Sequence, residues 1–359
     1  MSGVVRGFLG ASPAPLRELL GVPAPAKLNW FLHVTGRRDD GLHELQTVFQ
    51  FIDWCDEIDF ELRDDGGISR EGGEGLPDDD LCVRAARALR DFAGCRFGVH
   101  MRLRKHIPAQ AGLGGGSSDA ASVLLALNRL WGLGLRRSQL QALGEGLGAD
   151  VPVFVFGRNA FAEGVGTRLR ELELPRWRVL VAWPGAGLST AQVFGSPALT
   201  RDTPACTMEG FCKSLKRALA ENVPEDHVQG DHVRGNAQAY VQNLGAAGPG
   251  SPGSDFASSG SRLASASRMI RALDFGVNDL QRAASQQLPL LQDVKAWLEA
   301  RCGSVARMSG SGSAMFAPWP GSADEVPRDV PRSWSVRVCS ALNRHPLLDW
   351  APEQVASSQ

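Results

Sequence analysis

AQAGLGGGSSDAA, residues 109–121, decides the fold class through what stands on either side of it. Upstream, Val99, Met101 and Leu103 alternate with His100, Arg102 and Arg104, the period-2 pattern of a half-buried strand, which stops at Pro108. Downstream, Ala120, Val123, Leu124, Leu127, Leu130 and Trp131 fall on one face of a helix of roughly four turns. The unit is strand, glycine loop, helix. Glycines without Cβ admit a ligand close to the backbone, and the first turn of a helix offers unpaired N–H groups at its positive end. Gly112 to Ser118 therefore read as a phosphate cradle. The alternative, a flexible glycine linker, rarely sits between two such periodic elements.

Two common nucleotide loops are excluded by residue identity. A Walker-type loop needs Lys after its last Gly, where this chain has Ser117, and G-x-G-x-x-G counted from Gly112 fails at the same residue. No H-R-D or D-F-G tripeptide of a protein kinase occurs.

Working outward, residues 24–62 read as strands, with TGRRDDGLH (35–43) as the turn between them. Residues 63–80 are Gly and acid rich and read as a surface loop feeding a helix over LCVRAARALRDFA (81–93). A further helix is expected near 138–148 and a strand at RVLVAW (178–183), with a domain boundary near Glu171. The sequence after Thr203 changes character, and Leu244 to Ser267 is almost entirely Gly, Ala, Ser and Pro, the composition of a disordered linker. GFCKSLKRALAEN (210–222) before it has helical character. Order is expected to resume with one helical stretch, NDLQRAASQQLPLLQDVKAWLEA (278–300), followed by strand SVARM, glycine turn SGSGS (309–313), strand AMFA and a late strand WSVRVCSAL.

The expected organisation is a loose extension over 1–22, a first domain over 23–171, a second over 172–350 interrupted by an insert at about 205–274, and a tail over 351–359. At roughly 100 to 200 residues per domain, 359 residues suit two domains. The insert is readable as a tolerated surface excursion, or its apolar start, Phe211 to Leu219, as a docking segment for a partner. His227 and His232, each preceded by Asp, lack the further ligands of a metal site.

The net charge of -1 gives no broad footprint for nucleic acid or an anionic membrane, so small molecules are the expected partners. Seven scattered cysteines without C-x-x-C spacing fit a reducing cytoplasm. The longest charge-free stretch, 179–200, is broken by Pro184, Gly185 and Gly187, and no membrane segment is expected.

AKLN (26–29), GLGGGSSDAA (112–121) and SGSGS (309–313), in that order, resemble the three motifs of the GHMP kinase superfamily of small-molecule kinases, which includes galactokinase, homoserine kinase and mevalonate kinase. PAKLNWFLHVTGRRDDGLHELQTVFQFID, GLGADVPVFVFGRNAFAEGVG, TRDTP and NDL resemble more closely the 4-diphosphocytidyl-2-C-methyl-D-erythritol kinases of the non-mevalonate isoprenoid pathway. The resemblance spans 24–204 and 275–317. It implies a two-domain α+β fold with the active site in the interdomain cleft, and ATP-dependent phosphorylation of the 2-hydroxyl of a substrate carrying cytidine diphosphate. The alternatives are a kinase of the same superfamily acting on homoserine, a sugar or a mevalonate-type alcohol, or a non-catalytic nucleotide-binding relative; the latter predicts a broken Lys and Asp pair.

Alternation in AKLNWFLHV puts Lys27, Asn29, Phe31 and His33 on one face and Leu28, Trp30, Leu32 and Val34 on the other, which is the core face. A Lys on a strand is more often an edge charge, but the resemblance implies that Lys27 is the active lysine and Asn29 a substrate-contacting amide. Asp150 precedes Val151-Pro152, the signature of an ordinary helix N-cap, and matches the family's catalytic aspartate. The resemblance also implies that Pro108, Ala109, Gln110, Ala111, Gly112, Leu113, Gly114, Gly115, Gly116, Ser117 and Ser118 hold ATP. Ser118 is in addition a candidate Mg2+ ligand, although a hydroxyl at a helix start is commonly a cap. SGSGS is expected to pack beside the phosphate loop, or to be only a tight hairpin. His43, Thr190 and Phe194 fall where the family contacts the cytidine diphosphate moiety, the Phe194 ring being suited to stack on cytosine. The family pattern DGYH usually offers a tyrosine where this chain has Leu42.

Overall fold

The computed structural model describes residues 16–220, 269, 271–323 and 325–353. Most of the expected insert, His227 and His232, the first fifteen residues and the end of the tail lie outside the described residues.

The first half is built on a mixed six-stranded sheet. Strand β1 (Glu18–Arg37) and strand β2 (His43–Arg63) form a long antiparallel pair, and β2 continues to β4 (Gly98–Arg104) on one side and to β5 (Ala160–Glu163) and β6 (Arg168–Glu171) on the other. Strand β3 (Ile68–Gly72) lies parallel to β4 at the edge. Helices α1 (Leu81–Ala93), α2 (Gly115–Leu130), α3 (Arg137–Glu145) and α4 (Val151–Phe156) complete this half. Helix α2 is buried over nearly its whole length, including Ser118, Asp119 and Ser122. Ser118 and Ser122 donate to the Pro25 and Pro23 carbonyls, which fastens the helix along β1.

The second half carries an antiparallel four-stranded sheet, β10-β7-β9-β8, from β7 (Arg178–Trp183), β8 (Arg307–Met308), β9 (Met315–Pro318) and β10 (Ser335–Ser340). Its helices are α5 (Thr190–Gly195), α6 (Met208–Ala220), α7 (Leu280–Gln287) and α8 (Leu290–Cys302). The two halves share one apolar layer. Trp30 of β1 meets Trp177 edge-on at 5.8 Å, and both indole N–H groups donate to the Gln50 side chain at 2.8 Å.

Several expectations are corrected by this packing. Strand β1 starts at Glu18, inside the stretch read as a loose extension, because Leu19 and Val22 pair with Phe60 and Ile58 of β2. The acid-rich segment 63–80 contains β3, which pairs in the sheet with β4, a strand 31 residues further along the chain. The stretch 278–300 is two helices, broken at Leu288 and Pro289, since the Pro ring cannot continue the preceding helix. Both faces of β1 are buried: the glycine loops cover Lys27, and Phe161, Phe211 and Phe275 cover Phe31 on the same face. Phe211 and Leu215 of α6, read as a possible docking surface, are buried in this chain's own core, Phe211 edge-on to Trp30 at 5.7 Å. Residues 341–351 return to the first half: Leu342 donates to the Phe51 carbonyl and His345 to that of Gly157.

Candidate active site

The glycine loop enters α2 through two left-handed residues, Gly112 (φ +72°) and Gly114 (φ +76°), the second being the N-cap. A Cβ on Gly112 would lie 2.1 Å from the Ser309 carbonyl oxygen, and one on Gly114 would lie 2.8 Å from the Phe154 ring. Glycine is needed here for both conformation and space. Gln110, with φ +53°, is the one non-glycine residue in the left-handed region among the described residues, and it stands at the entry of the same loop. No side chain caps α2, so its first N–H groups are left for an external acceptor.

The second glycine turn meets the first. Ala314 N–H donates to the Ala111 carbonyl at 2.9 Å and the Ser309 hydroxyl to the Gly112 carbonyl at 3.0 Å. Asn278 fixes this turn from behind by donating to both the Met308 and Gly310 carbonyls at 2.8 Å. The expected neighbourhood of SGSGS and the phosphate loop is thus observed.

Lys27 lies under the junction of the two loops. Its backbone N–H donates to the Leu113 carbonyl at 3.0 Å, and its ammonium donates to Asn29 Oδ1 at 2.7 Å and the Gly112 carbonyl at 2.9 Å. The residue is 2 % exposed, and burial lowers the ammonium pKa below the ordinary lysine value, an effect that the Asp150 carboxylate opposes. Asp150 approaches Nζ to 3.5 Å and keeps 36 % of its side chain open to solvent. It occupies the N-cap position of α4, as the Val-Pro sequence predicts, but its side chain caps nothing and turns toward the lysine instead. Asn29 Nδ2 donates to Thr47 Oγ1 at 2.9 Å, leaving the amide oxygen as the lysine's acceptor.

Three of the loop residues assigned to ATP face inward. Ala111 and Leu113 are core side chains, able to meet a ligand only through backbone, and the buried Ser118 hydroxyl is committed to the Pro25 carbonyl. Ser118, the candidate Mg2+ ligand, is therefore fully buried with its proton given to the chain. Pro108, Ala109, Gln110, Gly112, Gly114, Gly115, Gly116 and Ser117 line the outer side of the loop. Among the described residues there is no cluster of three His, Cys, Asp or Glu side chains able to hold a metal.

Sequence reasoning missed a buried triad that pins the start of the loop. Lys105 donates to Asp119 at 2.7 Å and to Asp56, whose other oxygen accepts from Ile107 N–H at 2.8 Å. Burial pushes the Asp119 carboxyl up from its ordinary value, with Lys105 opposing. A Lys and two acids separated by 49 and 14 residues give no local signal.

The substrate candidates form a second cluster beyond the turn. Thr190 Oγ1 lies 2.8 Å from Ser311 Oγ, which ties α5 to the second glycine turn. The rings of His43 and Phe194 are 5.0 Å apart at 35°. Leu42, the residue before His43, is 53 % exposed.

Comparison with known proteins follows the same outline. Family models described as GHMP kinases N terminal domain and GHMP kinases C terminal match residues 80–158 and 259–336. The chain is 45% identical over 344 residues to the 4-diphosphocytidyl-2-C-methyl-D-erythritol kinase of Paracidovorax citrulli, covering 94% of this chain and 100% of that one. It is 44% identical to the enzyme of the same name from Variovorax paradoxus, with the same coverage. The chain belongs to the 4-diphosphocytidyl-2-C-methyl-D-erythritol kinase family. A crystal structure of 4-(cytidine 5'-diphospho)-2C-methyl-D-erythritol kinase superposes with a TM-score of 0.60 at 30% identity, over 90% of this chain and 98% of that one. For this member of the 4-diphosphocytidyl-2-C-methyl-D-erythritol kinase family, the α+β GHMP kinase fold expected from the three motifs is the fold observed, and it is the fold of an ATP-dependent small-molecule kinase.

Proposed function

We propose that this chain transfers the terminal phosphoryl group of ATP to the 2-hydroxyl of 4-diphosphocytidyl-2-C-methyl-D-erythritol, with Lys27 and Asp150 as the catalytic pair. The observation that carries the reading is the 3.5 Å approach of a buried ammonium to a half-open carboxylate at the mouth of an uncapped glycine loop. A non-catalytic relative has no use for such a pair.

Phosphoryl transfer rests on positioning and on charge stabilisation more than on covalent chemistry. The triphosphate lies along the outer side of the 108–117 loop, its oxygens meeting the free N–H groups of the first turn of α2. Mg2+ would supply further charge neutralisation at the phosphates, and among the described residues no group of three His, Cys, Asp or Glu side chains is placed to hold it. The substrate hydroxyl sits between the Asp150 carboxylate and the Lys27 ammonium. Asp150 accepts its proton as the oxygen attacks, and Lys27 stabilises the charge that develops on that oxygen and on the transferred group. Asn29 and Gly112 hold the ammonium from behind, so its position is set before substrate arrives. His43, Thr190 and Phe194 receive the cytidine diphosphate end.

No described helix is long and apolar enough to cross a membrane, and all seven cysteines are unpaired, which supports work in a reducing cytoplasm on a small molecule. The test incubates purified protein with ATP, Mg2+ and 4-diphosphocytidyl-2-C-methyl-D-erythritol beside homoserine, galactose and mevalonate. Turnover of the first alone is expected; turnover of another alcohol in preference to it defeats the reading.

A further inference from the structure

We propose that Arg201 is a positioning residue for pyrimidine recognition, fixing at once the tautomer of His43 and the placement of the Phe194 ring. The inference rests on the cytidylated-substrate reading above and adds to it a residue that touches neither reacting atom. Arg201 uses all three of its guanidinium nitrogens. Nε donates to His43 Nε2 at 3.2 Å, Nη2 to the Phe194 and Ser196 carbonyls at 3.0 Å each, and Nη1 to the Leu199 carbonyl at 3.1 Å.

A guanidinium has donors and no acceptor. The nitrogen it meets on His43 must therefore present a lone pair, which leaves the ring neutral with its single proton on Nδ1. The choice is forced by hydrogen-bond polarity. Partial burial first, then this same cation and Arg37, hold the His43 pKa below the ordinary histidine value, so the neutral ring persists at neutral pH. His43 thus offers one N–H donor at a known position, and cytosine carries ring and carbonyl lone pairs that need such a donor.

The carbonyl contacts do a different task. Phe194 is the next-to-last residue of the short helix α5, and the chain turns through Ser196 to Leu199 directly after it. By gathering three carbonyls of that turn, Arg201 keeps the Phe194 ring against His43 at 5.0 Å. The two rings touch, so a base stacks on the outside of the pair and not between them. With Leu42 in the turn before His43, the stacking surface depends on the orientation of this pair. Recognition is then set by a residue 158 positions away in sequence from the histidine that it orients.

The experiment compares wild type, Arg201→Gln and Arg201→Lys by steady-state kinetics, by CDP titration in a calorimeter, and by 15N NMR of histidine-labelled protein, with His43→Gln assigning the His43 signals. Arg201→Gln should raise KM for the cytidylated substrate and Kd for CDP by about tenfold while KM for ATP and kcat stay within about threefold, since a charge-assisted hydrogen bond is lost away from the reacting atoms. Its His43 15N shifts should leave the Nδ1–H pattern of the wild type, and Arg201→Lys should recover part of the affinity. Unchanged CDP binding and unchanged His43 shifts in Arg201→Gln overturn the inference. So does an equal rise in KM for both substrates with a lowered Tm, which marks a merely structural arginine. If wild-type protein fails to bind CDP, the cytidine reading itself falls, and the NMR comparison still decides whether Arg201 sets the tautomer.

Discussion

The Lys27 ammonium and the Asp150 carboxylate lie 3.5 Å apart, one sealed beneath two glycine loops and the other open to the cleft. That asymmetry underlies the division of tasks proposed above. A cation fixed by Asn29 and the Gly112 carbonyl cannot follow a substrate, whereas a carboxylate with free surface can meet one. Asp150 stands at the N-cap position of α4, two residues before Pro152, where its side chain is not used to cap the helix.

Replacing Asp150 by Asn keeps the shape and removes the base. Turnover should fall by about 10²–10⁴-fold, the usual worth of a positioned general base, while the KM values for ATP and the cytidylated substrate change by less than about threefold. Near-normal kcat in a rapid-quench assay would remove Asp150 from the chemistry.

Burial lowers the Lys27 pKa and Asp150 raises it, with burial the larger influence. The active form is the ammonium, so activity is present below the shifted pKa and is lost as pH rises through it. The alkaline limb of the kcat/KM profile should therefore appear at lower pH than the ordinary lysine value predicts. Lys27→Met, which keeps the stem and deletes the charge, should abolish the limb together with most of the activity. A profile flat to the ordinary lysine value would contradict the assignment.

Much of this site was legible before any coordinates. The strand, glycine loop and helix follow from periods of 2 and 3.6 on either side of Gly112–Ser118, and the Lys27 and Asn29 pair follows from alternation. What could not be read was decided by tertiary packing. Strand β3 carries one residue of strand propensity, Ile68, in an otherwise polar segment, and pairing with β4 makes it a strand. The Asp150 sequence encodes a cap, and the buried charge of Lys27 takes the carboxylate away from that task. Asp56, Lys105 and Asp119 look like three ordinary surface charges until β2, the loop and α2 bring them together.

The two glycine loops interlock, which separates tolerant glycines from intolerant ones. Gly112→Ala places a methyl 2.1 Å from the Ser309 carbonyl at a positive φ, and should cost about 2–4 kcal/mol of stability or displace the second loop, with a large rise in KM for ATP. Gly116→Ala meets only a Leu81 methyl at 3.5 Å at an ordinary helical φ, and should leave Tm unchanged or slightly raised. Equal loss of Tm in both variants, by thermal melts, would argue against the interlock.

Leu42 exposes 53 % of its surface directly before His43, whose ring meets that of Phe194. An aromatic at this position adds a stacking face at the cost of ordering one side chain. Leu42→Tyr should lower KM for the cytidylated substrate by about three- to tenfold with kcat and the KM for ATP unchanged. No change would mean that another group already covers the base.

The last prediction concerns stability and a residue outside the chemistry. His345 is fully buried; it accepts from Leu347 N–H through Nδ1, so its proton is on Nε2, which has no partner. Burial, and then the Arg137 cation, pull its pKa down from the ordinary 6.5 to about 3. The unfolded chain therefore binds a proton that the folded chain refuses. Stability contributed by the neutral ring is complete above about pH 6.5 and is lost progressively as pH falls toward 3. Chemical denaturation followed from pH 7.5 to 4.5 should show a slope in this window approaching one proton, and His345→Asn should flatten that slope even if its stability at pH 7.5 is lower, because an uncharged amide takes no proton in either state. An unchanged slope in the variant would place the acid sensitivity elsewhere and leave His345 as packing alone.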